Sequence, residues 1–429
     1  MAGGVSNRGG RGVSDDLEAT QRRTLRVLFV AQVFSGAGLA AGVSVGGLLA
    51  EDMIGGQGYA GLPAALFTLG SALAAWLVGS LSQAFGRRPG LALGYGVGAV
   101  GGVGTVAAAA IDSVPLLLIS LFFYGSGTAT NLQARYAGAD LAHPDRRGRA
   151  ISAVLVATTV GAVIGPNLVN VTGSIAKHMG TPALAGPFML ATLAYGCGAI
   201  VVVTWLRPDP LLVARTHARA AAGDTPTVVL AATRGETRSV RLAAAVMVLT
   251  QLVMLAVMTM TPVHMRHHGH GLAATGLVIS LHIAAMFLPS PLSGALADRI
   301  GRRPIIAMGA VMLGLAGAVA ATAPVDSVAV LGLALVLLGL GWNLGVIGGT
   351  ALLTDAVPLQ RRAKTQGAAD VALALSGAAG GLGSGAIVAG SSFAVLSVAG
   401  GLVGLAILPL LLATRTRSPT TQLVPDPRA

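Results

Sequence analysis

Ionisable side chains are scarce inside the long apolar runs of this chain, and two stand out. His282 lies near the middle of one run, and Asp370 lies a few residues into another. An ionisable group at the centre of a bilayer costs about 2.5–3.5 kcal/mol, so each asks for a reason. Imidazole titrates in the physiological range. The expectation is that His282, and secondarily Asp370, carries a proton during function. Two alternatives stay open: a neutral His282 making one interhelical hydrogen bond, and an Asp370 that caps its helix. His264, His267, His268 and His270 fall within seven residues at the end of a third run. Four histidines so spaced could ligate a transition metal. No acid in the same loop completes the set, and no metal site is assigned.

Other reactive chemistry is thin. The single cysteine, Cys197, lies in an apolar run, so neither a disulfide nor a thiolate metal site is available. No G-x-x-x-x-G-K-[ST] loop occurs, which leaves ATP hydrolysis without support. No catalytic constellation is found; neither an enzyme nor a cofactor is expected.

The most informative spacing is a repeated loop. Gly294-Ala-Leu-Ala-Asp298-Arg-Ile-Gly301-Arg302-Arg303-Pro304 is matched by Gly79-Ser-Leu-Ser-Gln83-Ala-Phe-Gly86-Arg87-Arg88-Pro89. Both read G-x-L-x-(D/Q)-x-x-G-R-R-P, and positions 79 and 294 are 215 residues apart. The same offset relates Asp140 to Asp355, Arg146 and Arg147 to Arg361 and Arg362, and Arg26 to Arg241. The chain is therefore one unit present twice in the same sense. The glycines permit tight turns and close backbone approach, and the arginine pairs are expected at the level of lipid phosphates.

The elements that hold these residues follow from composition. Hydrophobic residues make up 54% of the chain and charged residues only 10%. The mean hydropathy is +0.76. Apolar runs of about 20 residues each suit a helix crossing a hydrocarbon core, and a lipid-embedded backbone must satisfy its own hydrogen bonds. The fold expected is all-α and integral to the membrane. Twelve spans lie near 25–49, 59–83, 90–111, 114–138, 150–173, 183–206, 242–263, 272–296, 304–323, 327–353, 367–389 and 392–414. Residues 1–24 read as a disordered tail, 25–206 as a first six-helix bundle and 207–240 as a polar linker. Residues 241–414 read as a second bundle and 415–429 as a short tail.

Charge fixes the expected orientation. With both termini in the cytoplasm, 26 of the 28 basic residues fall on the cytoplasmic side, and only Lys177 and Arg266 fall outside. The net charge of +12 is thus a topology signal beside an anionic leaflet, not a mark of nucleic-acid binding.

Twelve spans, a central linker and G-x-L-x-D-R-x-G-R-R after spans two and eight resemble the major facilitator superfamily of secondary transporters. That resemblance implies two six-helix bundles rocking about a central cavity. It implies that Asp298 meets the amino end of a helix in the opposite bundle, near the start of span five, and latches one state. Gln83 stands at the matching position without a charge, so its latch is expected to be weaker. Gly161-Ala-Val-Ile-Gly165-Pro166 is similar to the G-x-x-x-G-P motif of drug:proton antiporters, although Val169-Asn170 replaces the glycines that follow there. Small residues four apart also allow close helix packing. Exporters of this kind often carry an arginine in span four where this chain has Leu121 to Tyr124. Arg135, lower in that span, is expected as a latch partner or lipid anchor. The family's pathway is lined by spans one, four, seven and ten. On these, Gln32, Ser35, Tyr124, Asn131, Gln251, Trp342 and Asn343 are candidate solute contacts, with Trp342 offering an aromatic face to a flat amphipathic solute.

The functional expectation is a monomeric multi-pass transporter of the cytoplasmic membrane. It would be driven by protons and export small amphipathic organic compounds. Uptake of a nutrient or vitamin-like solute is an alternative, as is a non-transporting receptor on the same fold.

Overall fold

Runs of alanine, leucine, valine and glycine leave the backbone no partner but itself in an apolar medium, and helices result. The computed structural model describes residues 7–54, 62–222 and 233–414, and it contains no strand among them. The first half holds α1 (Asn7–Ile54), α2 (Leu62–Phe85), α3 (Arg87–Ala110), α4 (Val114–Ala139), α5 (Arg147–Asn167), α6 (Val169–His178) and α7 (Gly186–Trp205). A short α8 (Pro210–Ala222) follows. The second half holds α9 (Arg234–His267), α10 (Leu272–Phe287), α11 (Ser290–Ile300), α12 (Arg302–Thr322), α13 (Val328–Ala356), α14 (Arg362–Gly390), α15 (Phe393–Leu405) and α16 (Ile407–Ala413).

Ten helical stretches among the described residues are long and apolar enough to cross a membrane. Helices α10 and α11 form one such stretch, as do α15 and α16. Helices α1 and α4 are not among the ten, yet they complete the first bundle, α1 against α5 and α7, α4 against α2 and α3.

Each half buries its own core. In the first, Leu28, Tyr95, Tyr124, Phe188 and Tyr195 meet; in the second, Val246, Leu313, Leu335 and Trp342 do. Gly161 lets α5 ride directly on α1, because a Cβ there would strike the backbone of Val33 and Ala37. Gly165 is also buried, and the helix breaks at Leu168, two residues past Pro166.

The tail expected to be disordered contains helix, and so does the polar linker. Residues 7–24 are the opening turns of α1, and residues 210–222 of the linker form α8. Helix α9 starts inside the same linker, capped by the Thr233 hydroxyl, which accepts from the Glu236 N–H at 3.1 Å. The tail over 415–429 and residues 1–6 lie outside the described residues.

The turns alternate between two faces. One face gathers the α2–α3 and α11–α12 turns, the α4–α5 and α13–α14 connections and α8; it is called here the arginine-bearing face. The two loop motifs turn on Gly86 at φ 101° and Gly301 at φ 97°, a region where an L side chain is strained. The opposite face carries the histidine cluster.

Candidate functional site

The two bundles meet at the arginine-bearing face through two copies of one contact. Asp298, at the end of α11, accepts from the N–H groups of Gly148 at 2.8 Å and Arg149 at 2.9 Å. These belong to the first turn of α5, where backbone donors lack intrahelical partners and the helix dipole favours an anion. Arg302 holds the same carboxylate at 2.7 Å and reaches Asp355 at 3.1 Å. In the other half, Gln83 accepts from Ala363 N–H at 2.9 Å and Lys364 N–H at 3.3 Å, in the first turn of α14. Its amide also donates to the Gln360 carbonyl at 2.6 Å.

Gly79 and Gly294 bring the backbones together. A Cβ on Gly79 would lie 2.7 Å from the Gly367 Cα, and one on Gly294 would overlap the Ser152 hydroxyl and the Gly148 carbonyl. The helix-start donors, the close glycine contacts and the pairing of Arg87 with Asp140 and Arg302 with Asp355 are each offset by 215 between the copies, so the repeat found in the sequence is also a repeat of contacts.

Three of the four motif arginines, Arg87, Arg302 and Arg303, spend their guanidinium groups on protein partners and not on lipid. Arg87 is fully buried; it donates to Asp140 at 2.7 Å and to Gln366 across the bundle interface. Arg303 donates to the carbonyls of Leu411 at 3.1 Å and Thr414 at 2.8 Å, closing the end of α16. At Arg88 it is the backbone N–H, not the guanidinium, that donates to Asp209, at 2.7 Å. For Arg87 the reason is electrostatic: the Asp140 carboxylate is enclosed by protein and needs a paired, hydrogen-bonded cation.

Behind these contacts lies a second charge group. Arg135 on α4 pairs with Asp370 on α14 at 2.7 Å, and the Tyr136 hydroxyl donates to the same carboxylate oxygen at 3.1 Å. The guanidinium carbon of Arg135 lies 4.4 Å from the centre of the Tyr136 ring, and its Nε donates to Thr350 on α13 at 3.0 Å. Arg135 has no exposed surface and Asp370 only 3%. Arg135 is therefore not a lipid anchor; it joins the bundles. Asp370 does not cap α14, which begins at Arg362. Its second oxygen, Oδ2, has no hydrogen-bond partner among the described residues.

Asp370 also lines a cavity of about 120 Å³ between the bundles, with Phe67 and Ser71 from α2, Leu132 from α4 and Gln251 from α9. Gln251 is held in place by the Trp342 indole, whose N–H donates to its carbonyl oxygen at 2.7 Å. Trp342 is itself buried, edge-to-face with Phe287.

The remaining candidate contacts lie inside their own bundles. Gln32 donates to the Asn131 carbonyl at 3.0 Å and accepts from Tyr95 at 2.6 Å, and Asn131 donates to Ser35 at 2.9 Å. Tyr124 packs against Phe188 and Tyr195 and donates to the Gly38 carbonyl. Asn343 donates to the Met286 carbonyl at 2.7 Å and to Ser290 at 2.8 Å. His282 is buried within the second bundle, its Nδ1 bonded to the Leu335 carbonyl at 2.8 Å, and it does not line the cavity.

At the opposite face, His264 stacks on Phe393 at 4.3 Å, and His270 bonds to the Val325 carbonyl at 2.7 Å. Among the described residues, no group of three or more His, Cys, Asp or Glu side chains is arranged to hold a metal.

Two pseudo-symmetric bundles, apolar spans and a contact pattern repeated at a fixed offset define a membrane transporter built from two halves. The chain belongs to the major facilitator superfamily, whose family model matches residues 28–381 and 265–428. It is 54% identical over 398 residues to the uncharacterised MFS-type transporter YdeG of Bacillus subtilis, covering 92% of this chain and 93% of that one. It is 32% identical over 403 residues to the riboflavin transporter RfnT of Brucella anthropi, covering 92% and 97%. Among solved structures, the proton:xylose symporter XylE superposes with a TM-score of 0.71 at 16% identity, covering 92% of this chain and 96% of that one. The human organic anion transporter MFSD10 superposes with a TM-score of 0.70 at 17% identity, covering 91% and 99%. These two show the shared fold. The protein is thus a multi-pass membrane transporter of the superfamily.

Proposed function

We propose that this protein is a monomeric, proton-coupled exporter of small amphipathic organic compounds, working by alternating access. It crosses the cytoplasmic membrane twelve times with both termini and the arginine-bearing face inside the cell. The observation that carries this reading is the Asp370–Arg135 pair, set between the bundles beside the cavity. Opening the arginine-bearing face parts α4 from α14. Left charged, the two groups would be separated in a medium of low polarity, at a cost of about 3–5 kcal/mol for an uncompensated buried charge. Protonation of Asp370 removes the carboxylate's share of that penalty, and Arg135 keeps the Tyr136 ring of its own helix beneath it, so a proton travels inward on the opening stroke. Loss of the proton inside restores the carboxylate, and the pair draws the face shut around an outgoing solute. His282 fits this role less well than Asp370, because its bond lies within one bundle and rocking does not break it. The Gly161–Gly165–Pro166 motif supports the outward direction, and the Asp298 and Gln83 contacts supply the latches of the closed state.

Cells expressing the protein are expected to accumulate less of a lipophilic dye than cells lacking it, and an uncoupler should abolish the difference. Asp370→Asn should remove proton-driven transport while leaving dye exchange down its own gradient. Proton-driven transport by Asp370→Asn at the normal rate would rule this carboxylate out as the coupling group. The relative named as a riboflavin transporter favours a second reading, uptake of a vitamin-like solute. That reading predicts rescue of a riboflavin auxotroph and a dye level unchanged by expression.

A further inference from the structure

A cavity of about 620 Å³ lies on the arginine-bearing face, on the flank of the second bundle and away from the cavity between the bundles. It is formed where the opening turns of α9 pass the end of α16. Arg234, Thr237, Arg238 and Arg241 line it at helical spacing, so they share one face of α9. Leu242 and Leu410 supply an apolar wall. Nothing in the transport scheme uses it.

Three features set the chemistry of its ligand. First, among the described residues no carboxylate lines the cavity and none of the three arginines forms an ion pair. The nearest acid on α9, Glu236, is taken by Arg361 at 2.8 Å. Like charges spaced three and four apart on a helix repel, so the cluster gains from a counter-charge. Second, the arginines are not needed to close α16, because Arg303 already binds its terminal carbonyls. Third, the polar and apolar parts are layered. The arginines are exposed, and Leu410, which lines the cavity, is 37% exposed at the adjoining end of α16.

An anion with an apolar body matches this arrangement. We propose that the cavity binds an anionic phospholipid, its phosphate among Arg234, Arg238 and Arg241 and its acyl chains along Leu410. The residues that follow Thr414 are a poorer occupant, since they carry Arg415, Arg417 and Arg428 against Asp426 and would add positive charge.

The test uses the full-length protein in nanodiscs of phosphatidylcholine and phosphatidylglycerol, with the lipids retained after release counted by native mass spectrometry. Retention of phosphatidylglycerol over phosphatidylcholine is expected, weakening as salt is raised. The triple variant Arg234→Ala, Arg238→Ala, Arg241→Ala should lower that preference by roughly fivefold per arginine removed. The matching triple lysine variant should keep most of it, which separates loss of charge from loss of fold. Equal preference in the wild type and the alanine variant would overturn the proposal. So would a rise in retention when the chain is ended at Thr414, which would make the tail the occupant. Complete displacement by inorganic phosphate would overturn it too, assigning the site to the free anion.

Discussion

Asp370 and Arg135 hold each other in a place where an unpaired charge is costly. Replacing one leaves the other buried without a partner, whereas replacing both leaves a gap that apolar atoms fill. Arg135→Met and Asp370→Leu are each expected to destabilise the closed protein by about 3–5 kcal/mol, and the double variant to recover most of that loss. Thermal unfolding in neutral detergent measures it, and additive losses in the double variant would show that the two groups do not act as a pair. Such a group is hard to read in a sequence. Arg135 lies toward the end of a span, where an arginine usually reaches for lipid phosphate; what distinguishes it is the acid 235 residues away on the helix it faces. The amides illustrate the same limit. Gln32, Asn131 and Asn343 are polar residues in apolar helices, which tells that they avoid lipid. A six-helix bundle offers two such refuges, its own interior and the interface with the other bundle, and residue type does not choose between them. Of the seven candidate solute contacts, Gln251 alone lines the cavity between the bundles.

At the scale of elements, two short loops present a side chain to the start of a helix in the opposite bundle. The geometry is common to both, but Asp298 carries a charge and Gln83 does not. A carboxylate at a helix amino terminus is worth about 0.3–1 kcal/mol, which is roughly a two- to fivefold change in a two-state ratio. Asp298→Asn should therefore open the arginine-bearing face more often than Gln83→Ala does. A cysteine at Ser152, buried where α5 meets Gly294, reports this by maleimide labelling once Cys197 is replaced by alanine. Equal labelling in the two variants would show that the charge is not what matters. These elements were legible because a glycine at positive φ, a paired arginine and an acid at fixed spacing leave a mark that hydropathy alone does not. The helices over 7–24 and 210–222 left none, since polar and arginine-rich segments look alike whether they are helical or not.

For the whole molecule, the apolar runs and the 215-residue offset carried the architecture. Lipid constrains a chain so strongly that spans show through composition, and duplication shows through register. All twelve expected spans fall on helices, α1 and α4 among them. The offset has a further consequence at Arg135 and Thr350. These two residues are themselves 215 apart, and they touch. Equivalent positions in two halves meet only on the axis relating them, where any residue faces its own counterpart. An arginine there in both halves would set guanidinium against guanidinium. The charge can occupy that point only if one copy gives it up, which requires the two copies to vary independently within one chain. Two identical six-helix subunits could not build this centre. Thr350→Arg restores the forbidden match, and the variant is expected to label at Ser152→Cys as a face held open; labelling no faster than in the parent would show that the axis tolerates both.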